Sequence, residues 1–220
     1  MDRFDGFPRH EGDAAEGRAV SAQARPRRRP PRADSRLPRI LDRAACLFRE
    51  KGFQGASVRD IAGSVGMLPG SLYCHFESKE DLLVAVYAEG VRRLSRALEQ
   101  ALEDAAAREE DAWQRLEAAC VAHLQALLDG GDYAQVIVRV QPGEAPGASA
   151  RLVALRDGYE RRFRALIEAL PGPVRRDYLR LLLLGALNWV PSWYRPGKDS
   201  PRAIAHGFLQ ILHGRASDDR

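Results

Sequence analysis

The stretch "GMLPGSLYCHFESKEDLL", residues 66–83, carries the signals that decide the fold. Gly66 permits a tight turn, and Pro69 suits the first turn of a helix that follows it. Leu72 and Phe76 lie four residues apart, so they share one side of that helix. The sequence therefore predicts a turn and a short helix whose opposite side carries small, polar and aromatic residues.

A long helix is predicted directly after this segment. Ser78 is a favoured N-cap residue, and Glu80 and Asp81 place negative charge at the positive end of the helix dipole. Apolar residues keep helical spacing from Leu83 onward. The helix is predicted to continue to about residue 106.

Two helices are predicted before the turn. A helical apolar pattern begins at Leu37, and the pair Lys51–Gly52 ends it with a basic residue and a C-cap glycine. Ser57 is predicted to cap the second helix, with Asp60 at the capping-box position. This order of helices is typical of a helix-turn-helix unit, in which the short helix after the turn enters the major groove of DNA.

The rest of the chain is predicted to be all-α. Gly and Pro pairs separate further helices at residues 110–129, 133–141, 147–170, 173–194 and 200–214. The segment "VIVRV", residues 136–140, has the composition of a strand, but it is isolated and so favours a buried helix.

Three regions follow from this pattern. Residues 1–36 form a predicted disordered, Arg-rich arm, residues 37–83 a helix-turn-helix DNA-binding domain, and residues 84–220 a helical domain. Residues 18–36 hold seven Arg and one Asp, although the whole chain has a formal charge of only +4. Such an arm is either a solvated tail or a contact for nucleic acid.

Composition excludes several classes of protein. The longest apolar stretch, Leu181–Val190, is shorter than the roughly 20 residues of a membrane-spanning helix, so no membrane association and a cytoplasmic location are expected. Cys46, Cys74 and Cys120 are odd in number and form no C-x-x-C pair, which predicts mostly buried, reduced thiols without a disulfide or a structural zinc ion. No cofactor is expected.

The short helix after the turn has side chains suited to DNA. Ser71 and Tyr73 can donate hydroxyl protons to phosphate, His75 can donate a ring N–H, and Gly70 lets the backbone approach closely. The alternative is that Tyr73 and His75 pack between helices. The clustering of all four residues on one turn favours DNA contact.

Two cations flank this surface. Arg59 faces outward from the second helix and can form two hydrogen bonds with a guanine base. Lys79, at the start of the long helix, can meet a phosphate together with free backbone N–H groups.

Residues 37–90 resemble the DNA-binding segment of TetR-type bacterial repressors, most specifically in the L-Y-x-H-F-x-S-K core of residues 72–79. Leu68 and Cys74 depart from residues common in that family, so the base preference at these positions stays open. The resemblance implies DNA contact at positions already described and at Ser57. The full predicted set is Ser57, Arg59, Pro69, Gly70, Ser71, Tyr73, Cys74, His75 and Lys79.

The resemblance also implies that residues 84–220 form a ligand-binding and dimerisation domain. The segment "LLLLGALNWVPSWYRPG", residues 181–197, is similar to the late helix of a subgroup linked to acyl-CoA or lipid-catabolism control. An acyl-CoA effector that releases the dimer from a palindromic operator is therefore expected. The candidate ligand-binding residues are Arg139, Tyr159, Asn188, Trp189 and Trp193.

Alternatives stay open for several of these residues. Pro191 is expected to kink the helix and open a cavity lined by the large rings, but the same rings suit a dimer interface equally. Arg139 is either a surface residue or a cation for an acidic ligand group. His123 is predicted to be a satisfied core residue.

Homodimerisation is expected through the last two predicted helices, packed as a four-helix bundle across a two-fold axis. The apolar surface for it is assigned to Leu181, Leu184, Ile204, Phe208 and Ile211.

The alternative classes of function are an enzyme and a helical interaction protein without DNA binding. The sequence holds none of the common nucleotide-binding, zinc-protease or serine-hydrolase motifs. Cys74 and His75 are adjacent, hence about 100° apart around a helix, which is poor geometry for a catalytic pair. An interaction protein would have no use for this cluster of DNA-compatible side chains around one turn.

Overall fold

A computed structural model of the chain describes residues 36–172 and 175–217, the last five as backbone. The predicted arm therefore lies outside the described residues, apart from Arg36. In the described segments all regular secondary structure is helical, as the sequence predicts. The helices are α1 (Leu37–Gly55), α2 (Val58–Ser64), α3 (Pro69–Leu72), α4 (Lys79–Ala107), α5 (Ala112–Asp129), α6 (Gly131–Arg139), α7 (Ser149–Glu168), α8 (Arg176–Trp193) and α9 (Pro201–Ser217), with a 3₁₀ turn at Pro142–Glu144.

The first three helices begin and end at the residues that the sequence marks. Gly52 interrupts α1 with a φ of +69°, so the regular helix ends at Lys51. The Ser57 side chain accepts a hydrogen bond from the Asp60 N–H and caps α2. The predicted caps are confirmed, and "VIVRV" is helical through Arg139.

Helices α1 to α3 and the first half of α4 enclose a core, here called the N-terminal core. Tyr133 and Val136 of α6 and Leu152 of α7 belong to the same core. The helix-turn-helix unit is thus packed against helices that lie far along the chain. The largest fully buried side chains that the first four helices contribute are Ile40, Phe48, Phe53, Ile61, Leu72, Leu82 and Leu83.

The second core, here called the C-terminal core, lies among α4, α5, α7, α8 and α9. The α4 helix takes part in both cores, because Leu83 and Val86 lie in the first while Leu94 and Leu98 lie in the second. A tilt of α4 in one core therefore displaces residues in the other.

The apolar surface that the sequence assigns to dimerisation is partly wrong. Leu184 and Ile204 are buried in the C-terminal core, so they cannot supply surface to a second copy. Leu181 and Ile211 are exposed, as the assignment requires, and Phe208 is half-buried. Leu184 and Ile204 lie on the sides of α8 and α9 that pack into this core, whereas Leu181 and Ile211 lie on the opposite sides.

The three cysteines are all free thiols, but their burial differs. Cys120 is buried and Cys46 half-buried, whereas Cys74 is exposed, against the expectation of mostly buried thiols. Among the described helices, none combines the length and the apolar character needed to cross a membrane.

Candidate functional site

The turn between α2 and α3 depends on Gly66. Its φ of +70° lies in the region that glycine adopts far more readily than other residues. The Met67 N–H donates to the Ala62 carbonyl at 2.9 Å and closes the end of α2. Pro69 occupies the first turn of α3, and Leu72 is buried in the N-terminal core. The inner side of α3 is therefore fixed, and its outer side is free to meet a partner.

The outer side of α3 and the turn that follows it at residues 73–75, here together called the α3 surface, bring the predicted DNA-contacting residues together. Tyr73 is 53% exposed, Ser71 and Cys74 are exposed, and His75 is half-buried. A β-carbon built on Gly70 would meet no atom within 4 Å, so the backbone there is open to close approach. This surface can donate hydroxyl and ring N–H hydrogen bonds to phosphate or to base edges.

On α2, Arg59 is exposed and forms no ion pair with the residues that the structure describes. The Lys51 ammonium donates a hydrogen bond to a carboxylate oxygen of the neighbouring Asp60 at 3.1 Å. This bond, and to a smaller extent a hydrogen bond from Ser57, lowers the pKa of the Asp60 carboxyl. Ser57 accepts the Asp60 N–H at 3.0 Å and lies exposed directly before α2, the helix that carries Arg59. Arg59 and Ser57 are thus both able to contact DNA.

The structure gives Lys79 a role that the sequence did not predict. Its ammonium donates to the Phe53 carbonyl at 2.8 Å and to the Ala56 carbonyl at 3.1 Å. It also lies 4.3 Å from the centre of the Phe53 ring, within cation–π range. Lys79 therefore stabilises the end of α1 and the residue that follows it, and one of its three N–H groups remains for a phosphate.

Sequence reasoning missed a cation on α1. Arg36 and Arg39 line a hollow of about 200 Å³ with Val65, Gly66 and Met67, beside the turn that precedes α3. Arg39 is exposed and makes no ion pair within the described part of the chain. The sequence could have indicated Arg39, because it directly precedes the apolar residue at position 40, which is buried, and so faces away from the buried side of α1.

Two of the predicted ligand-binding residues meet in the interior. Tyr159 of α7 and Asn188 of α8 both contact His123 of α5, which is buried in the C-terminal half of the protein. The His123 Nδ1 lies 2.8 Å from the Tyr159 hydroxyl, and its Nε2 lies 3.2 Å from the Asn188 Oδ1. Because Asn188 Oδ1 only accepts, Nε2 carries the proton and Tyr159 donates to Nδ1.

This arrangement, here called the His123 network, is a satisfied polar contact within an apolar core. Burial lowers the pKa of His123 to about 4 and keeps the imidazole neutral, although the Asn188 hydrogen bond acts in the opposite direction. Burial also raises the pKa of the Tyr159 hydroxyl above its ordinary value. The prediction that His123 is a satisfied core residue is confirmed.

The other three candidates lie at the surface. Arg139 is exposed at the end of α6. Trp189 is 67% exposed on the outer side of α8, and Trp193 is exposed one turn later. The five candidates therefore do not lie together, because the indole rings are on the outer side of α8 while Tyr159 and Asn188 contact His123 in the core. An outward position of the rings agrees with the dimer-interface alternative, and an exposed Arg139 with the surface alternative.

A surface hollow of about 830 Å³ lies between α4, α5 and α9. Its lining includes Asp104, Arg108, Glu117 and His206, with the His206 Nδ1 3.2 Å from a Glu117 carboxylate oxygen. This charged lining does not suit an apolar effector, and none of the predicted ligand-binding residues contributes to it. The described residues contain no cluster of three side chains able to hold a metal ion.

Models of known protein families match both the N-terminal and the C-terminal part of the chain. The model described as bacterial regulatory proteins of the tetR family matches residues 40–86, which contain the turn and the outer side of α3. The tetracyclin repressor-like C-terminal domain matches residues 109–214. The chain belongs to the TetR family. Because its relatives in this family are transcriptional regulators, the enzyme alternative is excluded.

Individual TetR-family relatives match over most of their length. The HTH-type transcriptional repressor KstR2 of Mycobacterium tuberculosis is 27% identical over 191 residues, which span 82% of this chain and 92% of that protein. The solved structure of PfmR from Thermus thermophilus is 29% identical with a TM-score of 0.62, covering 79% and 96% of the two chains. AibR, solved in complex with isovaleryl coenzyme A and operator DNA, shares the fold at 24% identity and a TM-score of 0.67, covering 80% and 97%.

Proposed function

We propose that this TetR-family protein is a transcriptional repressor that binds a palindromic operator as a homodimer and leaves it when an acyl-CoA effector binds. One observation carries the DNA-binding part of the proposal. Ser71 of α3 and Tyr73 and Cys74 of the following turn are exposed on the α3 surface, with half-buried His75 beside them, while Leu72 and the Gly66 turn fix the helix from behind. A repressor acts on the chromosome, so a cytoplasmic location belongs to the same proposal.

The proposed contacts divide into base and phosphate contacts. Arg59 pairs with a guanine, a contact that contributes roughly 1–3 kcal/mol of discrimination. Ser71, Tyr73 and His75 donate to phosphates, and Pro69, Gly70 and Cys74 form the close-contact surface between them. Lys79 adds its third N–H, Ser57 its hydroxyl, and Arg39 a guanidinium from the hollow beside the turn.

Dimerisation is proposed through the outer side of α8. Tyr178, Leu181, Leu182, Trp189 and Trp193 are exposed there and recur at helical spacing, and they are here called the α8 face. Soluble monomers rarely expose a continuous apolar patch of this kind, and aromatic residues are enriched in interfaces. Against the same face of a second copy, together with exposed Ile211 of α9, it would form a four-helix bundle.

The effector part of the proposal rests on the His123 network. The three polar groups of this network bond one another inside an apolar core, so a ligand carbonyl that replaced one of these hydrogen bonds would be held there beside apolar side chains. Tyr159 and Asn188 are the residues proposed to contact that group. AibR, which has the same fold, binds isovaleryl coenzyme A in its solved complex, so short acyl-CoA thioesters are the first compounds to test.

DNA binding is tested by mobility shift with the DNA upstream of the protein's own gene. The double variant Tyr73→Ala, His75→Ala should lose most of the affinity, because both side chains are lost from the α3 surface. Arg59→Ala should relax discrimination at one base pair of each half-site. Arg164→Ala removes the same charge from exposed α7 and serves as the control. Full binding by the folded double variant would contradict the proposal.

Dimerisation is tested by sedimentation at micromolar concentration. The wild type should sediment as a dimer, and Leu182→Glu with Trp189→Glu should sediment as a helical monomer that binds the operator weakly. Two half-sites require two copies of α3 about 34–36 Å apart or a multiple of that distance. A wild-type monomer that binds the operator tightly would refute the dimer.

The effector is tested by titrating the operator complex with short and long acyl-CoA thioesters, the matching free acids and coenzyme A alone. Release by thioesters but not by coenzyme A is the expected result, since an effector must bind the DNA-incompetent state more tightly. If no thioester releases the DNA, the acyl-CoA assignment fails while the operator assignment stands.

The Arg-rich arm, with Arg27, Arg28 and Arg29, lies outside the described residues and is proposed to add nonspecific affinity. Removing residues 1–34 should preserve folding and reduce the salt dependence of DNA binding. An unchanged salt slope would leave the arm as a solvated tail.

A further inference from the structure

Leu68 is the most exposed large apolar side chain among the described residues, with 77% of its surface accessible. It lies directly before α3. Its neighbour Met67 packs against the N-terminal core, so the two apolar side chains of this turn point in different directions. Packing in the core therefore accounts for an apolar residue at position 67, but it does not account for the apolar residue Leu68.

The local stability of α3 does not explain Leu68 either. The residue occupies the N-cap position of α3 and makes no side-chain capping hydrogen bond. Other helices of the same chain are capped by Ser57, Ser78 and Asp111, each of which accepts a backbone N–H. A Ser or Asp at position 68 would supply the missing cap and keep an apolar side chain out of water.

The backbone holds Leu68 in a defined orientation. A residue before proline is restricted to extended conformations, and Leu68 has φ −74° and ψ 147°. Its carbonyl accepts the Ser71 N–H at 2.9 Å. The isobutyl group is thus fixed at the leading end of α3, beside open Gly70 and exposed Ser71.

An apolar group at this place has a specific partner in a major groove. The N-terminal residues of a recognition helix contact base edges, and the thymine C5 methyl is the apolar group that such an edge presents. We infer that Leu68 contacts the C5 methyl of one thymine in each operator half-site and so contributes to sequence specificity. This inference rests on the DNA-binding function proposed above and adds to it the identity of one base.

The test uses a duplex enriched by the wild-type full chain from a random-sequence library. Each dT of that duplex is replaced in turn by dU, which removes the methyl group and keeps every hydrogen bond of the base pair. One position in each half-site should lose roughly three- to fivefold in affinity, as expected for one methyl group taken out of an apolar contact. The same substitution should have no effect on binding by Leu68→Ala.

Two control variants accompany Leu68→Ala. Ser71→Ala should bind more weakly overall but keep the full dU effect, because it alters a phosphate contact. Arg164→Ala, an exposed position of α7 that belongs neither to the proposed DNA contacts nor to the α8 face, should behave like the wild type in the dU comparison.

Each outcome has a separate meaning. A dU effect in the wild type that disappears in Leu68→Ala supports the contact. The absence of any dU-sensitive position in the wild type overturns it, and so does a dU effect that persists undiminished in Leu68→Ala, since another residue then contacts the methyl group. If the library yields no enriched duplex at all, the proposed DNA-binding function itself fails, and the Leu68 contact fails with it.

Discussion

The hydroxyl of Tyr133 donates a hydrogen bond to a carboxylate oxygen of Asp42 at 2.9 Å, which joins α6 to α1. The Arg93 guanidinium of α4 lies 4.0 Å from the centre of the Tyr133 ring. Burial, followed by the Asp42 contact, raises the pKa of the Tyr133 hydroxyl. The helix-turn-helix unit is thus held to α6 at a point that also contacts α4.

Tyr133→Phe should lower the free energy of unfolding by roughly 0.5–1.5 kcal/mol, because it removes this hydrogen bond while the ring stays buried. Hydrogen exchange of α1 amides should become faster. Tyr87→Phe is the matched control, since Tyr87 is buried in the same core and its hydroxyl has no hydrogen-bond partner among the described residues. Equal effects of the two substitutions in urea denaturation would argue against a structural role for the Asp42 contact.

At Gly90, α4 packs closely against α6. A β-carbon there would lie 2.7 Å from Ile137 Cδ1 and 3.3 Å from the Tyr133 carbonyl oxygen. Gly90→Ala should therefore destabilise the protein by about 1–2 kcal/mol, because the overpacking exceeds the gain in helix propensity. Gly158→Ala in α7 meets only the flexible end of Arg161 and should stabilise by roughly 0.5–1 kcal/mol. Thermal unfolding that ranks the two variants in the opposite order would refute this.

His123 should make stability depend on pH. Its pKa is lowered from 6.5 to about 4 in the folded protein, so below pH 6.5 the unfolded chain takes up a proton that the folded chain does not. Stability should fall as the pH drops from about 6.5 to about 4, by roughly 3 kcal/mol in total from this residue. His123→Gln should flatten the urea-midpoint profile in that range. A wild-type profile parallel to that of His123→Gln would contradict the expectation.

Lys79 combines a structural contact with a proposed phosphate contact, and the two can be measured separately. Lys79→Met should lower the free energy of unfolding by about 2 kcal/mol, because it removes two charged hydrogen bonds to the Phe53 and Ala56 carbonyls. Lys198→Met, at an exposed position, should change stability by less than about 0.5 kcal/mol. The salt slope of operator binding should also fall by about one unit. Unchanged stability would refute the structural role, and an unchanged slope the phosphate role.

Local signals predicted the DNA-binding half of the fold well. The Ser78 hydroxyl accepts the Asp81 N–H at 3.0 Å and caps α4 as expected, because a cap involves residues only three positions apart. Gly66 and Pro69 likewise act on their own turn. These constraints depend on backbone geometry that the residue type fixes by itself, so they can be inferred without knowledge of the rest of the chain.

The C-terminal half could be predicted less well. Along "LLLLGALNW", residues 181–189, apolar residues occur on every side of the helix, so periodicity does not choose an inner side. Packing against α5, α7 and α9 buries Leu184 and turns Trp189 outward. Of the two alternatives that the sequence left open for these rings, a cavity and a dimer interface, the outward position of Trp189 favours the interface.

The sequence by itself determined the all-helical class, the caps, the turn at Gly66 and the composition of the α3 surface, because each depends on neighbours within about one helical turn. Only the tertiary structure decided that Lys79 bonds carbonyls 26 and 23 residues earlier, that Tyr133 meets Asp42 across 91 residues, and that His123 joins Tyr159 to Asn188. Those contacts depend on how whole helices pack, and helix packing is set by the combined shape of many side chains rather than by any short stretch of residues.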